Sequence, residues 1–424
     1  MFNRIIQVFR IPELRKKILI VLGLLVVFRV LASIPIPGVN IDRLSALLEG
    51  NQLLGFLNIF SGGGLSNLSL IMLGLSPYIT STIIMQLLTL IFPRLKEIYQ
   101  QEGSIGRAKF NRISRYLTVP LAMLQSYGFL NLLINQGAID PLPLFSVLQN
   151  VLIISTGSVV LMWIGELISE QKIGNGISLL IFSGIVASLP SAVINAFATY
   201  TPQLLTTYIA FVLLAIVIIA GVVYVNQGER KIPISYSKRI KGNRMYGGSS
   251  SYLPLKVNQA GVIPIIFAVS LLLFPQFLAQ MIAIFSQDLS LRLNGLVSAF
   301  LNNQYIYSLI YFVLVFVFTY FYTAITFDPE EIAKNLQRSG GFIPGIRPGE
   351  QTGHFMKKIT NRITLFGAIF LGVIAVLPNV MQIITGVGIL TIGGTALLIV
   401  VSVALETANQ IDSQLTLREY EGIR

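Results

Sequence analysis

Residues 58–92 read NIFSGGGLSNLSLIMLGLSPYITSTIIMQLLTLIF. The first half, Asn58 to Leu73, is too short and too rich in Gly, Ser and Asn to cross a bilayer. The second half, Leu75 to Phe92, is apolar for about the ~20 residues that a transmembrane helix requires. Between them, Gly74 loosens the backbone and Pro77 removes a helix hydrogen bond. A broken, polar chain at membrane depth must be covered by protein or face water. The stretch therefore reads as a short, weakly held helix in an aqueous funnel, followed by a helix that lines it. An external amphipathic loop before an ordinary span fits these residues equally well, so the rest of the chain decides.

That remainder belongs to a polytopic membrane protein. Of 424 residues, 54% are hydrophobic and 11% charged, with mean hydropathy +0.75. The absence of cysteine removes disulfides, thiol nucleophiles and thiolate metal sites. The one histidine, His354, lies beside Lys357 and Lys358 in a polar loop and reads as a surface residue. Hydropathy places ten spans at about 18–34, 75–92, 116–134, 145–168, 177–197, 204–225, 260–285, 305–327, 363–379 and 387–405. The first follows a basic segment and reads as a retained span, not a cleaved signal.

The net charge of +12 is distributed unevenly. Cations crowd into 4–17, 94–115, 230–256, 334–362 and the tail, whereas the alternate loops hold only Arg43 and Arg292. The positive-inside rule then makes both termini and the long basic loops cytoplasmic, which an even number of spans requires. The expected domains are a cytoplasmic segment 1–17, a first five-helix half 18–197, a second half 204–405 with loops 226–257 and 328–362, and a tail 406–424. Five is odd, so related halves would sit inverted in the membrane.

Arg29 lies inside the first span, about a turn from Ile34-Pro-Ile-Pro-Gly38. It is either a snorkelling side chain or a tie to a neighbouring loop. Lys172-Ile-Gly-Asn-Gly-Ile-Ser178 mimics a phosphate loop but lacks the preceding strand and the terminal Lys-Ser/Thr pair, so nucleotide binding is not expected there. Loop 226–257 sets seven cations against one anion and interleaves Tyr236, Tyr246 and Tyr252. Solvation and attraction to anionic lipids account for part of that charge; docking on a phosphate-rich or protein surface accounts for the pattern better. In the second basic loop, Pro344, Gly345, Pro348 and Gly349 predict successive tight turns that hold Arg347 outward.

Several short motifs occur in one order along the chain: Ile34-Pro-Ile-Pro-Gly38, Phe60-Ser-Gly-Gly-Gly64, Ser76-Pro-Tyr-Ile79, Gly174-Asn-Gly-Ile-Ser178, Pro254-Leu-Lys-Val-Asn258, Ala260-Gly-Val-Ile-Pro264, Pro344-Gly-Ile-Arg-Pro-Gly-Glu350 and Gly393-Gly-Thr395. Together they make the sequence resemble the SecY family, the central subunits of bacterial protein-translocation channels, over essentially its whole length. The resemblance implies an all-α polytopic membrane protein. Ten transmembrane helices would form two inverted five-helix halves around an hourglass pore with a plug. It implies a waist of Ile79, Ile83, Ile181, Ile185, Ile266 and Ile399. The span-five pair is open to a one-turn shift toward Ile177. The plug maps to 60–72, including Phe60, Gly62, Gly63, Gly64, Leu65, Leu68, Ile71 and Met72, with the glycines keeping its attachment flexible. A lateral gate would contain Thr89, Gln125 and Asn258. Arg239, Lys241, Arg244 and Arg347 would meet cytosolic partners. The implied partners are SecE-type and SecG-type small subunits, the SecA motor ATPase, ribosomes, signal sequences and preproteins, in the bacterial plasma (inner) membrane.

The expected function is a protein-conducting channel, without catalytic residues or cofactor, that passes unfolded polypeptides and releases apolar segments sideways into lipid. Branched aliphatic residues at a waist offer no hydrogen bonds to a passing backbone and keep a narrow gap dry. Polar contacts between membrane helices are worth about 0.6–2 kcal/mol each, and each buried leucine of a signal sequence gains roughly 1.5–3 kcal/mol. A signal sequence can therefore open the gate without chemical energy, while forward transport needs an external motor. The alternative is an ion-coupled secondary transporter, which places ionisable residues at mid-membrane. Here Glu166, Glu170 and Glu406 fall at span ends and only Arg29 is internal. An intramembrane hydrolase lacks the paired acids, cysteine or buried histidine it would use.

Overall fold

Apolar segments with no water to bond their backbones close into helices. The computed structural model describes residues 9–37, 58, 61–100, 103–135, 137, 139–198, 202, 205–236, 239–241, 244–246, 250–282, 286–385 and 389–422. Helices α1 Pro12–Ser33, α2 Ser76–Ile91, α3 Pro93–Gln100, α4 Gly103–Asn135, α5 Leu144–Glu170 and α6 Gly176–Ala198 are followed by α7 Leu205–Gln227. Four short strands come next: β1 Glu229–Tyr236, β2 Arg239–Lys241, β3 Arg244–Tyr246 and β4 Ser250–Lys256. Then follow α8 Ile263–Ile282, α9 Gln287–Asn302, α10 Gln304–Thr326, α11 Pro329–Arg338, β5 Gly341–Phe342, α12 Glu350–Thr385 and α13 Ile389–Gly422. The ten predicted spans coincide with α1, α2, α4, α5, α6, α7, α8, α10, α12 and α13. Among the described residues, six helices are individually long and apolar enough to cross a membrane, and α2 with α3, bent by 117°, makes a seventh. The bend falls where Phe92 is extended (φ −107°, ψ 105°), the conformation that Pro93 imposes on the residue before it.

The chain divides into two compact units. The first comprises residues 1–208, 269–306 and 403–424. In it α2, α4 and α5 pack on one another and α1 packs on α5 and α6. Ser81 Oγ donates to the Ser114 carbonyl at 2.5 Å, joining α2 to α4, and Arg115 Nε meets Glu166 Oε1 at 2.6 Å, joining α4 to α5. The sequence that mimics a phosphate loop is a helix cap: Asn175 Oδ1 accepts from the amides of Ile177 and Ser178, and Ser169 Oγ from that of Gly176. The two ends of the chain also meet in this unit. Leu14 of α1 and Leu415 of α13 form a buried cluster with Ile11, Ile18 and Ile411. Beside it Lys17 Nζ donates to Gln414 Oε1 at 3.3 Å, and Gln414 Nε2 donates to the Lys172 carbonyl.

The second unit comprises 209–268 and 307–402. The two long basic loops, taken separately in the sequence, fold here into one small body. Strand β1 pairs antiparallel with β4 from Glu229↔Lys256 to Ser235↔Ser250, and its far end pairs with β5 at Ser235↔Phe342. Alternating Ile232 and Ile234 turn to one buried side. Ile232 and Leu255 then cluster with Ile343, Met356 and Ile359. Asp328 caps α11 by accepting from the amides of Glu330 and Glu331, with Pro329 in the first turn where its missing N–H costs nothing.

Candidate functional site

Residues 61–75 do not form the short helix expected from their sequence. They run as consecutive turns, with Gly64, Leu68, Met72 and Gly74 amides each bonding the carbonyl three residues back. Left-handed backbone at Gly62 (φ +70°), Gly63 (φ +82°), Leu68 (φ +43°) and Gly74 (φ +56°) interrupts any longer run. Side chains replace the helical bonds: Ser61 Oγ accepts from Leu65 N at 3.1 Å and Asn58 Oδ1 from Ser66 N at 2.9 Å. Nor is the segment weakly held. Leu65, Leu68 and Ile71 are 0% exposed and Met72 1%. Phe60 lies outside the described residues.

The chain just after α1 clasps this segment. Ile36 N donates to Leu68 O at 2.8 Å and Leu70 N to Ile34 O at 3.0 Å, an antiparallel bridge centred on Pro35↔Ser69. Pro35 occupies the non-hydrogen-bonded position, where no amide is needed. Asn67 Nδ2 reaches Ala32 O at 3.3 Å. Arg29 Nη1 donates to Gly62 O at 2.5 Å, so of the two roles open for this arginine the structural tie is the one realised. Gly62 and Gly64 serve close approach. A Cβ on Gly62 would lie 2.5 Å from the Phe28 ring, and one on Gly157, midway along α5, 2.1 Å from Leu70 O. Gly157 was not singled out in the sequence, where a glycine inside a helix carries no mark of what passes it.

The six isoleucines are all buried. Ile79 and Ile83 lie one turn apart on α2 and Ile181 and Ile185 on α6, in the first unit. Ile177, the alternative in α6, is partly exposed. Ile266 of α8 and Ile399 of α13 belong to the second unit.

Of the three residues expected at a gate, Thr89 bonds within its own helix, Oγ1 to Gln86 O at 2.6 Å. Gln125 Nε2 reaches across from α4 to Thr80 Oγ1 of α2 at 3.3 Å. Asn258, in the second unit, donates to Asn226 Oδ1 at 2.8 Å and to Gly261 O at 3.1 Å, while Asn226 donates to Ser402 Oγ at 2.8 Å. Gln86 Oε1, Gln125 Oε1 and Asn258 Oδ1 are buried acceptors without a donor. Thr80, Asn226 and Ser402 escaped the sequence reading, although Asn226 follows the apolar run of α7 directly and so marks its polar end.

Arg347 is exposed. It sits between Gly345 (φ +83°) and Gly349 (φ +98°), and its carbonyl accepts from Thr352 Oγ1 at 2.9 Å. Ile343, at the base of this turn, is anchored in the buried cluster. Arg239, Lys241 and Arg244 contribute backbone to the β2–β3 hairpin. Among the described residues no three metal-ligating side chains converge. The chemistry on offer is apolar closure and hydrogen bonding.

The SecY family model matches residues 69–408. Protein translocase subunit SecY of Mycobacterium bovis is 44% identical over 442 residues, spanning 100% of this chain and 99% of that relative. Its counterpart in Corynebacterium glutamicum is 42% identical, spanning 99% of each. A solved structure of a protein-conducting channel superposes with TM-score 0.63 at 22% identity, covering 92% of this chain and 90% of that one. A SecY structure described for a plug domain that stabilises the closed channel gives 0.63 at 21%, covering 92% and 89%. Sec61 of a canine ribosome–channel complex gives 0.61 at 21%, covering 92% and 90%. The fold is that of a membrane-embedded, helical protein-conducting channel. The chain belongs to the SecY family, and its function is that of a translocation channel.

Proposed function

We propose that residues 61–75 are the plug of this channel, seated in the first unit and displaced when a polypeptide passes. The observation that carries the reading is a turn-rich segment, too polar to span a bilayer, whose Leu65, Leu68, Ile71 and Met72 are nonetheless fully buried, and which passes close against Gly157 of the spanning helix α5. Ile79, Ile83, Ile181, Ile185, Ile266 and Ile399 form the waist, a dry aliphatic constriction that neither selects ions nor grips the substrate. Thr89, Gln125 and Asn258 form the lateral gate. The buried acceptors of Gln125 and Asn258 that lack donors each cost about 1–3 kcal/mol, which keeps the closed gate only weakly favoured and open to signal sequences.

The protein is a multi-pass membrane protein, and its place is the bacterial plasma membrane with both termini in the cytoplasm. Its domains are the two inverted five-helix halves, 18–197 and 204–405, with the plug in the first. The joined body of loops 226–257 and 328–362 faces cytosolic partners through Arg239, Lys241, Arg244 and Arg347. Those partners are a SecA-type motor and the ribosome; the likeness to the channel of a canine ribosome complex favours the latter. SecE-type and SecG-type subunits and anionic lipids complete the assembly.

Deleting Gly63–Ser69 tests the plug. The variant is expected to accumulate in the membrane, since the spanning helices remain, and to raise ion conductance through resting channels in planar bilayers. Wild-type conductance at equal channel density would overturn the plug reading.

A further inference from the structure

We propose that Arg29 is the latch that holds the plug shut; this rests on the plug reading above. An arginine inside an apolar span is costly unless its donors are engaged. Arg29 lies in α1, and its Nη1 reaches the carbonyl of Gly62, in the first turn of the segment. The left-handed backbone of Gly62 lets Phe28, the residue before the latch, pack where a side chain would otherwise stand. The guanidinium lies over the Phe28 ring, 6.0 Å from its centroid. Hydrogen bonds from a charged donor are roughly twice as strong as neutral ones.

The other clasps are neutral: the backbone bridge at Pro35↔Ser69 and the amide of Asn67 on Ala32 O. Moving the plug away breaks all of them, but among the described residues only at Arg29 does it strand a charge within an apolar helix. Arg29 therefore sets the threshold at which the plug leaves. It is a positioning residue: it touches the plug and acts on the permeating chain only through it.

The test uses channels reconstituted with their membrane subunits and compares resting conductance and export of a precursor with a defective signal. Arg29→Met removes the donor and the charge, and is expected to raise resting conductance severalfold and to admit the defective precursor. The natural chain has no cysteine, so Pro35→Cys with Ser69→Cys introduces a single pair. Residues facing each other in a non-hydrogen-bonded antiparallel pair have Cα atoms about 4.5 Å apart, within disulfide range. Oxidising this pair in the Arg29→Met background should return conductance to the wild-type level, and reduction should restore the leak.

Wild-type conductance in Arg29→Met, or a leak that persists after full oxidation, overturns the latch. Should Arg29→Met not accumulate, Arg29→Gln, whose amide ends short of Gly62, is read by the same two outcomes. The deletion of Gly63–Ser69 separates the two claims. A deletion that leaks beside an Arg29→Met that seals sinks the latch alone, while a deletion that seals sinks the plug.

Discussion

At the scale of single residues, a tight constraint at the buried segment falls on Gly157. A methyl there would lie 2.1 Å from the Leu70 carbonyl, and that carbonyl belongs to backbone that cannot swing aside like a side chain. Gly157→Ala should lift the segment from α5, costing about 1–3 kcal/mol as overpacking does. Thermal unfolding in detergent should show the loss, and resting conductance should rise with it; unchanged values in both would mean that α5 yields instead. Lys172 poses the opposite case. It follows the end of α5 in the left-handed region (φ +57°), a position that glycine fills without strain. Lys172→Gly should stabilise the protein by about 1 kcal/mol, because the carbonyl that receives Gln414 is kept. A fall in melting temperature would show that the lysine side chain contributes more than its backbone costs.

At the scale of elements, the turn carrying Arg347 is a stiff mount. Ile343 on one side is packed into the cluster of Ile232, Leu255, Met356 and Ile359, and Thr352 on the other bonds the Arg347 carbonyl. A rigid backbone suits a guanidinium that forms two parallel hydrogen bonds to a carboxylate or phosphate. Arg347→Glu should leave span orientation intact, since Lys334, Arg338, Lys357, Lys358 and Arg362 remain in the same loop. Motor-driven import of a precursor into vesicles should fall steeply, in line with about 2–5 kcal/mol for a lost desolvated charge pair. Arg347→Lys should suffer as well, having kept the charge and lost the fork. Equal import by all three would reduce this arginine to a topology signal. The mount itself could not be read from the sequence. Turn residues announce where a chain reverses, but the pairing of β1 with β5 joins positions more than a hundred residues apart, and nothing local encodes that.

At the scale of the whole molecule, the spans were legible because a bilayer reduces the problem to length and apolarity, which ten segments satisfy at the level of sequence. The interior of the first unit was not. Gly62 was recognisable as a turn residue, yet its actual demand comes from Phe28 and Gly184, neighbours supplied by α1 and α6. Likewise Asn258 is partnered by Asn226, at the end of α7, which in turn bonds Ser402 within α13.

The meeting of the two chain ends has a consequence for how the protein is made. Lys17 and Gln414 are 397 positions apart, and the apolar contact of Leu14 with Leu415 is as distant. A ribosome adding roughly 5–20 residues per second leaves the first helix without this neighbour for roughly 20–80 s. During that interval its Ile11, Leu14 and Ile18 lack the apolar partners that Ile411 and Leu415 supply. Only when the final turns of α13 emerge does the bundle close on itself. A nascent chain halted a few codons before Gln414 would lack this fastening.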